Sequence, residues 1–423
     1  MSDFRVSEWK AGMAELREDY DVAVVGGGVA GIAAAAAAAR QGAATLLAEK
    51  TSALGGTPFA MFHRYLCGLY GNGRHCPPAL INGGMIADMC ESLRRTHPEL
   101  EPRRMGRVHV LPFQSAALRQ ALLGLLPDTP NLDIRLHTEA VSVEFPSAYD
   151  ASLTMRRTAG AASADRKPVR IGARAVVDCT GDGVLLRQCG AAHPGPSPRA
   201  LPSAGFAVRF GGIRPHDPDR LAIAVPMALR AAFESGRAPA WLPCTAFHPG
   251  DTADQGVCKL SLPPDRSFAC ALEDARKVAA ILREACPEFA RAVIAETSPG
   301  LAQREGARLR GRYTLSANDV LSARTFPDSA ARNAWPIELW PQNSRPRYRY
   351  VEEGHCGDIP VECLQSERFP NLWAAGRCLS ATSEALASCR VVGVCVPLGE
   401  TAGRRAALHI RYGDSPARGD KGV

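Results

Sequence analysis

The segment YDVAVVGGGVAGIAAAAAAARQGAATLLAEK (residues 20–50) decides the fold of this chain. Its start, YDVAVV, is mostly apolar and partly β-branched, which predicts a buried parallel strand. The strand runs into a complete G-x-G-x-x-G at Gly26, Gly28 and Gly31. Because such a turn lets a helix begin directly at the end of a strand, the segment predicts the β-α-β unit of an α/β fold.

The helix and the second strand complete this unit. An alanine-rich run from Ile32 predicts a helix closed by Gly42, and the second strand ends in Glu49. Free N–H groups and the positive dipole end at a helix start bind a pyrophosphate, and an acid after the second strand accepts hydrogen bonds from a ribose. Gly28 would let the backbone approach the phosphates, so the unit predicts dinucleotide binding.

Composition narrows the class of protein. The chain has 423 residues, 46% of them hydrophobic and 22% charged, which is typical of folded globular proteins. The first twenty residues contain no apolar secretory segment, and glycines interrupt the longest apolar run, so we expect a cytoplasmic protein without a membrane span. The fourteen cysteines then predict reduced thiols, and the net charge of +7 comes from dispersed arginines that do not favour nucleic acid.

The rest of the chain predicts two further units. Strand-like patterns at 132–145, 152–157 and 168–183 predict a β-meander, and a mixture of strands and helices predicts an inserted α+β substrate domain. A final helix should start near Val394. The expected division is 20–197 and 301–412 for the two parts of the nucleotide-binding domain, 198–300 for the inserted domain, and 1–19 and 413–423 for terminal tails.

Several blocks in order resemble a known family. DVAVVGGGVAGIAAAAAAARQGA, LLAEKTSALGGT, AVVDCTGDG, REGARLRGRYTL, WPIE and NLWAAGRCLSATSEALASCRVVGVCVPLGETAG are similar to the FAD-dependent oxidoreductase family of the glutathione-reductase-type flavoprotein superfamily, over about 21–410. The resemblance implies an α/β, Rossmann-like FAD-binding domain. Cys179 departs from the alanine that the family often has in DCTGDG. No second G-x-G-x-x-G follows, so we expect no separate NAD(P)H domain.

The resemblance also implies a set of residues against FAD. The start of the last helix would face the pyrimidine ring of the flavin, where its dipole stabilises the charge that develops at N1 and O2. The implied cofactor residues are Gly26, Gly28, Ala30, Gly31, Glu49, Lys50, Gly55, Gly56, Thr57, Thr180, Gly181, Asp182, Gly376, Arg377, Val394 and Gly399.

The loop GGTPFAMFHRYLCGLYGNGRHC (residues 55–76) leaves several interpretations open. Pro58 stands where a disulfide reductase has its first redox cysteine, and Cys67 lies nine positions before Cys76, so a redox pair is disfavoured. A zinc site from His63, Cys67, His75 and Cys76 would lack a C-x2-C knuckle, so no metal is expected. Covalent FAD attachment through His63 or Cys67 is less favoured than noncovalent binding.

The preferred interpretation makes this loop the lining of a substrate pocket. His63 is the candidate acid or base because its ordinary pKa lies near neutrality, although a histidine packed in a loop is nearly as good an explanation. The residues expected to face the isoalloxazine ring are His63, Arg64, Tyr70 and Asn72.

Other candidates lie further along the chain. Arg304 is expected to face the substrate, or to form an internal ion pair with Glu305. In RPRYRY, Arg345, Arg347 and Arg349 share one strand face and Tyr348 and Tyr350 the other, which could bind an anion or RNA but is by default a solvated edge strand. His248 and His355 are predicted to lie in loops near the pocket.

These features together predict an FAD-dependent oxidoreductase. A small organic substrate would give a hydride to FAD, with His63, Arg304 and Cys67 as candidate catalytic residues, and oxygen, a quinone or a carrier protein would be the electron acceptor. One alternative is a tRNA-modifying flavoprotein resembling the glucose-inhibited division protein class, which has a long helical C-terminal extension. The other is a non-catalytic flavin-binding protein, and a homodimer stays open.

Overall fold

The computed structural model of the protein describes residues 18–73, 75–158, 167–193, 195–196, 200–214 and 217–412. Most of the tails expected at 1–19 and 413–423 lies outside these ranges, although Asp19 begins the first strand. The strands are β1 (Asp19–Val25), β2 (Thr45–Ala48), β3 (Tyr65–Leu66), β4 (Arg103–Met105), β5 (Val108–Pro112), β6 (Leu132–Arg135), β7 (Thr138–Ser147), β8 (Asp150–Arg157), β9 (Val169–Asp178), β10 (Ala192–His193), β11 (Ala204–Gly211), β12 (Ala246–Pro249), β13 (Gly256–Leu262), β14 (Val293–Thr297), β15 (Arg308–Leu309), β16 (Ser329–Asn333), β17 (Ile337–Leu339), β18 (Arg347–Arg349), β19 (Gly357–Pro360) and β20 (Leu372–Ala374). The helices are α1 (Val29–Arg40), α2 (Thr57–Ala60), α3 (Met85–Thr96), α4 (Ser115–Leu123), α5 (Val184–Gln188), α6 (Pro218–Glu234), α7 (Phe268–Ala285), α8 (Ala317–Leu321), α9 (Ser383–Cys389) and α10 (Val392–Tyr412).

The main sheet is the predicted Rossmann-like unit. Its strand order is β6-β2-β1-β9-β8-β7, and β20 also pairs with β9. Pairings between β6, β2, β1, β9 and β20 are parallel, as expected of strands joined by crossovers. The first strand is buried at nearly every position because α1 and other helices cover the sheet. The α/β fold class is therefore confirmed.

The segment predicted as one strand at 132–145 is two strands. β6 pairs parallel with β2, whereas β7 begins at Thr138 and pairs antiparallel with β8. Between them His137 has a φ of 53°, a left-handed conformation that ends one strand before the next begins. The antiparallel meander is thus β7-β8-β9, and β6 belongs to the parallel part of the sheet.

Helices α1 and α10 pack with their backbones in close contact. A Cβ atom on Gly399 would lie 2.0 Å from the carbonyl oxygen of Ala30, and one on Gly403 would lie 2.0 Å from that of Ala34. Such an approach requires glycine on one helix and small residues on the other, which explains the alanine run of α1. α10 starts at Val392, two residues before the predicted position, and α1 starts at Val29, three before Ile32.

A second, antiparallel sheet has the order β12-β13-β11-β14. Its side chains alternate between two faces. One face packs against α6 and α7 in a separate core that includes Phe206, Phe210 and Leu260. Its opposite face contacts the loop after α2, where Phe62 meets Val257. This α+β unit agrees with the predicted insertion, while its limits at 198–300 stay a prediction.

The length and apolar content of the helices decide whether any of them could span a membrane. Within the described ranges, no single helix is long and apolar enough to cross a membrane. Only the pair Ser383–Cys389 and Val392–Arg411, bent by 98°, meets the length and composition criteria when taken together.

The contact between α1 and α10 predicts a large effect of one methyl group. Gly403→Ala should lower the free energy of unfolding by about 2 kcal/mol or more, because the clash with Ala34 outweighs the gain of roughly 1 kcal/mol in helix propensity. Gly83→Ala is the matched control, since its Cβ would meet no atom within 4 Å. Urea denaturation of both variants measures the difference, and equal stability would contradict the close packing.

Candidate functional site

The loops that follow the parallel strands converge on the start of α1. The backbone N–H of Gly55 donates to the carbonyl of Gly27 at 2.8 Å, and Gly28 and Gly55 form a parallel bridge. A Cβ on Gly56 would lie 3.0 Å from the Cα of Gly28. Gly56 and Thr57 are exposed beside this contact. The G-x-G-x-x-G turn and the GGT segment therefore form one surface.

The three motif glycines are needed for different reasons. Gly26 has a φ of 101°, and a Cβ there would lie 2.4 Å from the carbonyl oxygen of Cys179. A Cβ on Gly31 would lie 1.8 Å from the carbonyl oxygen of Gly26. Gly28 instead has an ordinary φ of −71°, and its Cβ would meet nothing within 4 Å. The fold requires the first two glycines, whereas Gly28 keeps open the space in front of the helix.

That open space fits a pyrophosphate. The first turn of α1 has no side-chain cap and no acidic residue, so its N–H groups and its positive dipole end face the gap in front of Gly28. A methyl group at Gly28 would occupy the volume that a phosphate needs in order to reach these donors. The residues present therefore fit the dinucleotide that the sequence predicts.

Glu49 is oriented by backbone donors. One carboxylate oxygen accepts from the N–H of Gly27 at 2.7 Å, and the other accepts from that of Thr51 at 2.8 Å. These bonds hold the carboxylate at the end of β2, where its remaining lone pairs can accept from ribose hydroxyls. The side chain of Lys50 is exposed next to it. Both residues stay predicted cofactor contacts.

The opposite wall is held by Arg377. Its guanidinium donates to the carbonyl of Gly181 at 2.7 Å and to the Asp182 carboxylate at 2.6 Å. These bonds hold Arg377 against the loop that contains Gly181 and Asp182, and its predicted contact with the cofactor stays a prediction. The preceding residue, Gly376, has a φ of 68° and lies beside Ala30, whose Cβ a side chain at 376 would approach to 3.1 Å.

A buried acid that the sequence did not single out anchors the same loop. Asp178 accepts from the N–H and hydroxyl of Thr180 at 2.9 and 2.7 Å, and from the N–H groups of Leu185 and Leu186. Burial raises the pKa of Asp178, while these hydrogen bonds act in the opposite direction. The carboxyl group fixes the turn between β9 and α5, and so the position of the loop that Arg377 holds.

Two implied cofactor residues serve packing in this structure. Val394 is fully buried, and a Cβ on Gly68 would lie 3.3 Å from its side chain. Gly399 contacts Ala30, as described for the two helices. The N–H of Gly393, in the first turn of α10, donates to the carbonyl of Cys67 at 2.9 Å. The start of α10 is thus joined to the loop that carries the candidate catalytic residues.

The second sheet covers that loop with its inner face. Val257 lies opposite His248 in the register, and Lys259 lies opposite both Ala207 and Ala246. Because Cys258 and Leu260 point into the other core, residues 257 and 259 share the face turned to the loop. Arg209 lies on this face with its guanidinium 4.2 Å from the ring centre of Phe62.

His63 lies under this sheet face. Burial lowers the pKa of His63 well below its ordinary value, and repulsion from Lys259, His248 and Arg304 lowers it further. The imidazole is therefore neutral at pH 7. His248 belongs to strand β12 and not to a loop, which corrects the prediction, and burial lowers its pKa to about 3. The predicted loop residue His355 is exposed on the surface.

Lys259 is the residue that sequence reasoning missed. Burial lowers its pKa from an ordinary 10.5 to about 8, Arg304 adds repulsion, and Cys67 and Glu338 act in the opposite direction. Within the described residues its ammonium group has no hydrogen-bond or ion-pair partner, yet the side chain keeps some accessible surface. The sequence offers only a weak signal, a lysine in the apolar strand GVCKLSL of a chain with few lysines.

Arg304 does not pair with Glu305. Glu305 pairs with Arg308 at 3.1 Å, so the predicted ion pair between neighbours is wrong. The guanidinium of Arg304 stacks 4.0 Å from the ring centre of Trp340 and donates to the carbonyl of Ser203. Burial lowers the pKa of Arg304 to about 9, with further repulsion from a neighbouring arginine. Arg304 nevertheless lies close enough to His63 to influence its charge.

Cys67 is a partly buried free thiol. Burial, followed by repulsion from Glu338, raises the pKa of Cys67 to about 12. The sulfur is therefore protonated at pH 7, and a protonated thiol is a poor nucleophile. This does not favour covalent attachment of a flavin through Cys67.

Three of the predicted pocket residues have other partners. Arg64 pairs with the carboxylate of Asp251, which lies in the second unit. Tyr70 is buried in the main core, where its hydroxyl accepts from Arg94 at 3.4 Å. The side-chain amide of Asn72 donates to the carbonyl of Val351 at 2.7 Å. Of the predicted set, His63 alone is linked to Lys259 and Arg304 by a resolved electrostatic effect within the described chain.

The remaining candidates are surface features. In the described ranges, no group of three or more His, Cys, Asp or Glu residues could hold a metal ion. Arg347 and Arg349 are exposed on β18, which pairs with β17, and Arg349 pairs with Glu384 at 3.2 Å. Tyr348 is also exposed, and its hydroxyl donates to the Glu338 carboxylate at 3.3 Å.

Comparison with known proteins gives a family and distant structural matches. A family model described as FAD dependent oxidoreductase matches residues 21–200 and 259–419. No curated protein matches the sequence. Similar solved structures include the anhydrotetracycline hydroxylase OxyS from Streptomyces rimosus, at 14% identity and a TM-score of 0.44, with 70% of this chain and 54% of that chain covered. The chain thus spans about half the length of that hydroxylase.

Two other structures are matched over more of their length. A geranylgeranyl bacteriochlorophyll reductase-like protein from Thermoplasma acidophilum is 13% identical, with a TM-score of 0.45 and coverage of 93% of this chain and 78% of that one. A flavoprotein/dehydrogenase from Cytophaga hutchinsonii is 12% identical, with a TM-score of 0.43 and coverage of 92% and 79%. Similarity at this level identifies no substrate.

The open space at Gly28 predicts a variant that folds but binds FAD poorly. Gly28→Ala should leave the stability of the flavin-free protein unchanged and weaken FAD binding about tenfold or more, because the methyl group enters the phosphate space. FAD titration followed by fluorescence measures the affinity, with Gly83→Ala as the control. Unchanged FAD affinity in Gly28→Ala would contradict this placement of the pyrophosphate.

The unpartnered ammonium of Lys259 predicts a pH-dependent stability. At pH 7 the lysine is charged in both the folded and unfolded chains, and only the folded chain bears the cost of burial. Above about pH 8 the folded chain loses this proton, while the unfolded chain keeps it until about 10.5. Wild-type stability should therefore rise relative to Lys259→Met between these two pH values.

Urea denaturation at pH 7 and at about pH 9.5 tests this expectation. Lys259→Met should be the more stable protein at pH 7, by a margin that shrinks at the higher pH. Lys277→Met, at an exposed position on α7, should match wild type at both. A Lys259→Met protein that is less stable than wild type at pH 7 would mean that the lysine supports the fold.

Proposed function

Because the chain belongs to the FAD-dependent oxidoreductase family, we propose that it transfers a hydride from a small organic substrate to FAD, within a glutathione-reductase-type architecture. The enzyme class and the cofactor follow from the family. The observation that supports the finer proposal is the neutral, partly buried His63, which follows Met61 and Phe62 where they pack against the second sheet, in the loop that begins at the GGT segment. The chemistry that FAD supplies when bound is acceptance of a hydride at its ring.

The cradle supplies binding and orientation. The N-terminus of α1 and the open side of Gly28 would hold the pyrophosphate, and Glu49 would hold a ribose. The GGT segment leads from this site through α2 to His63, whose backbone N–H donates to the carbonyl of Pro58 at 2.8 Å. This short, hydrogen-bonded connection fixes the distance between the cofactor site and the imidazole.

His63 is the proposed proton acceptor. When a substrate alcohol or amine loses a hydride from carbon, its O–H or N–H proton must also leave, and a neutral imidazole nitrogen can accept it. The cations around His63 disfavour its protonated form, so the proton would pass on to solvent, to which His63 is partly accessible. Met61, Phe62 and Val257 form the apolar cover that limits water around this step.

Several narrower points belong to the same proposal. FAD is held without a covalent bond, which the protonated thiol of Cys67 supports. Oxygen, a quinone or a carrier protein would take the electrons, and a cytoplasmic location and a homodimer stay predictions. Neither the tRNA-modifying alternative nor the non-catalytic one is favoured by a specific contact in the described residues.

The visible spectrum of the purified protein tests the reaction. The protein should bind one FAD per chain and release it on acid denaturation, and one or more members of an anaerobic panel of alcohols, amines, hydroxy acids and amino acids should bleach it. A flavin-containing protein that no panel member reduces, but that NADPH bleaches, would reverse the proposed direction. Flavin that stays with the chain would contradict noncovalent binding, and His63→Ala and Cys67→Ala would then locate the bond.

The role of His63 predicts a specific kinetic defect. His63→Gln should keep FAD bound and slow flavin reduction by a bleaching substrate about 100-fold, because the proton acceptor is lost. Stopped-flow absorbance measures this rate, and His355→Gln, at an exposed site, is the matched control. Equal reduction rates in the two variants would exclude His63 as the proton acceptor.

A further inference from the structure

Positive charge is concentrated around the partly buried His63, whose neighbour Phe62 packs against Val257 on the strand that carries Lys259. Lys259 from the second sheet and Arg304 both lower the pKa of His63 by repulsion, and Arg390 in turn repels Arg304. Glu338 has the opposite effect, because its negative charge raises the pKa values of Lys259, Arg304 and Arg390. Glu305 also acts on Arg390, but Glu305 is paired with Arg308. The three cations therefore outnumber the carboxylates that are available to them.

The three cations differ in how many hydrogen-bond acceptors the protein provides for them. Arg390 donates to the carbonyl of Arg304 at 2.6 Å and to that of Glu338 at 3.4 Å. Arg304 donates to the carbonyl of Ser203 and stacks on Trp340, which leaves further donors of its guanidinium fork unused. Lys259 has no hydrogen-bond or ion-pair partner in the described chain. Lys259 and Arg304 are therefore the groups with free donors.

Glu338 does not neutralise this pair. Its carboxylate accepts from the hydroxyl of Tyr348 at 3.3 Å and from the indole N–H of Trp335 at 3.5 Å. No arginine or lysine in the described ranges forms an ion pair with it. The acid influences the cations at a distance, and the direct contact positions of Lys259 stay available.

A lysine in this position is costly for the fold. Position 259 lies on a strand face that also carries Ala207 and Val257 and that packs on Phe62. An unbranched apolar residue would suit this face, whereas an unpaired ammonium loses hydration there without gaining a protein acceptor. A ligand that brings a negative group would supply the acceptor that the protein lacks.

We propose that the substrate is an organic acid whose carboxylate is bound by Lys259 and Arg304. A carboxylate accepts from an ammonium point charge and from a guanidinium fork at the same time, which matches the two unused sets of donors. The bound carboxylate would lie beside His63, on the side of the second sheet. Its reacting carbon would then be held between this anchor and the cofactor site.

Anion binding would also change the chemistry of His63. The repulsion that disfavours protonated His63 comes from Lys259, Arg304 and His248. A carboxylate between these groups offsets the repulsion, so the imidazole becomes a stronger base when a substrate is present. An uncharged analogue of the same shape would lack this effect. A substrate without a carboxylate would therefore bind more weakly and would also react more slowly, because His63 would remain a weak base.

The test compares acids with their amides. FAD-loaded protein is titrated by calorimetry with acetate, glycolate and benzoate, and with acetamide, glycolamide and benzamide, at low ionic strength. At least one carboxylate should bind about tenfold or more tightly than its amide. Lys259→Met should abolish this preference, Lys259→Arg should keep most of it, and Lys277→Met should leave it unchanged.

Three results would overturn the inference. These are equal affinities for each acid and its amide, an acid preference that survives in a folded Lys259→Met protein, and tighter binding of inorganic phosphate than of any carboxylate. The inferred carboxylate site depends on the proposed function only in so far as the bound acid is called a substrate. Calorimetry therefore decides it even if no substrate bleaches the flavin, and a carboxylate preference without bleaching would refute the hydride transfer alone.

Discussion

The backbone contact between α1 and α10 is the constraint on which the rest of the site depends. Gly399 and Gly403 allow the two helices to approach until their backbones touch, and α1 answers with alanines. The start of α1 is thereby fixed against both the sheet and the last helix. Both sides of the predicted cofactor site are built on this point, since the GGT segment bonds to Gly27 and Gly376, which precedes Arg377, lies beside Ala30.

The second sheet places ionisable side chains next to this rigid part of the structure. Its outer core is ordinary, with aromatic and aliphatic side chains between the strands and two helices. Its inner face instead carries ionisable side chains. Lys259 and His248 on this face lie close enough to His63 to lower its pKa. Burying these groups costs stability, and no residue in the described part of the chain pairs with the lysine in return. Such a local conflict with the fold is what a binding site for an anion requires.

Local sequence patterns predicted the cofactor half of the molecule well. The strand, the glycine turn, the alanine-rich helix and the acid are neighbours in sequence, so their geometry follows from short-range rules. The strand break at His137 was missed because nothing in its apolar pattern signals a left-handed residue. The packing of Gly399 against Ala30 was not foreseen because a packing glycine and a cofactor glycine look alike in sequence, and its cofactor contact stays a prediction.

The catalytic half was less predictable for a physical reason. His63, Lys259 and Arg304 are far apart in the chain and meet only when the inner face of the second sheet covers the loop. Burial and repulsion then set their pKa values, which no local pattern records. Arg64 and Tyr70 carry promising side chains in that loop but are engaged by Asp251 and Arg94 instead.

A crystal structure of the protein with FAD and a bound carboxylate tests the account most directly. The account predicts the pyrophosphate within hydrogen-bond distance of the N–H groups that open α1, the flavin ring beside His63, and the carboxylate in contact with both Lys259 and Arg304. A pyrophosphate that lies away from the open side of Gly28, or a flavin ring remote from His63, would contradict it.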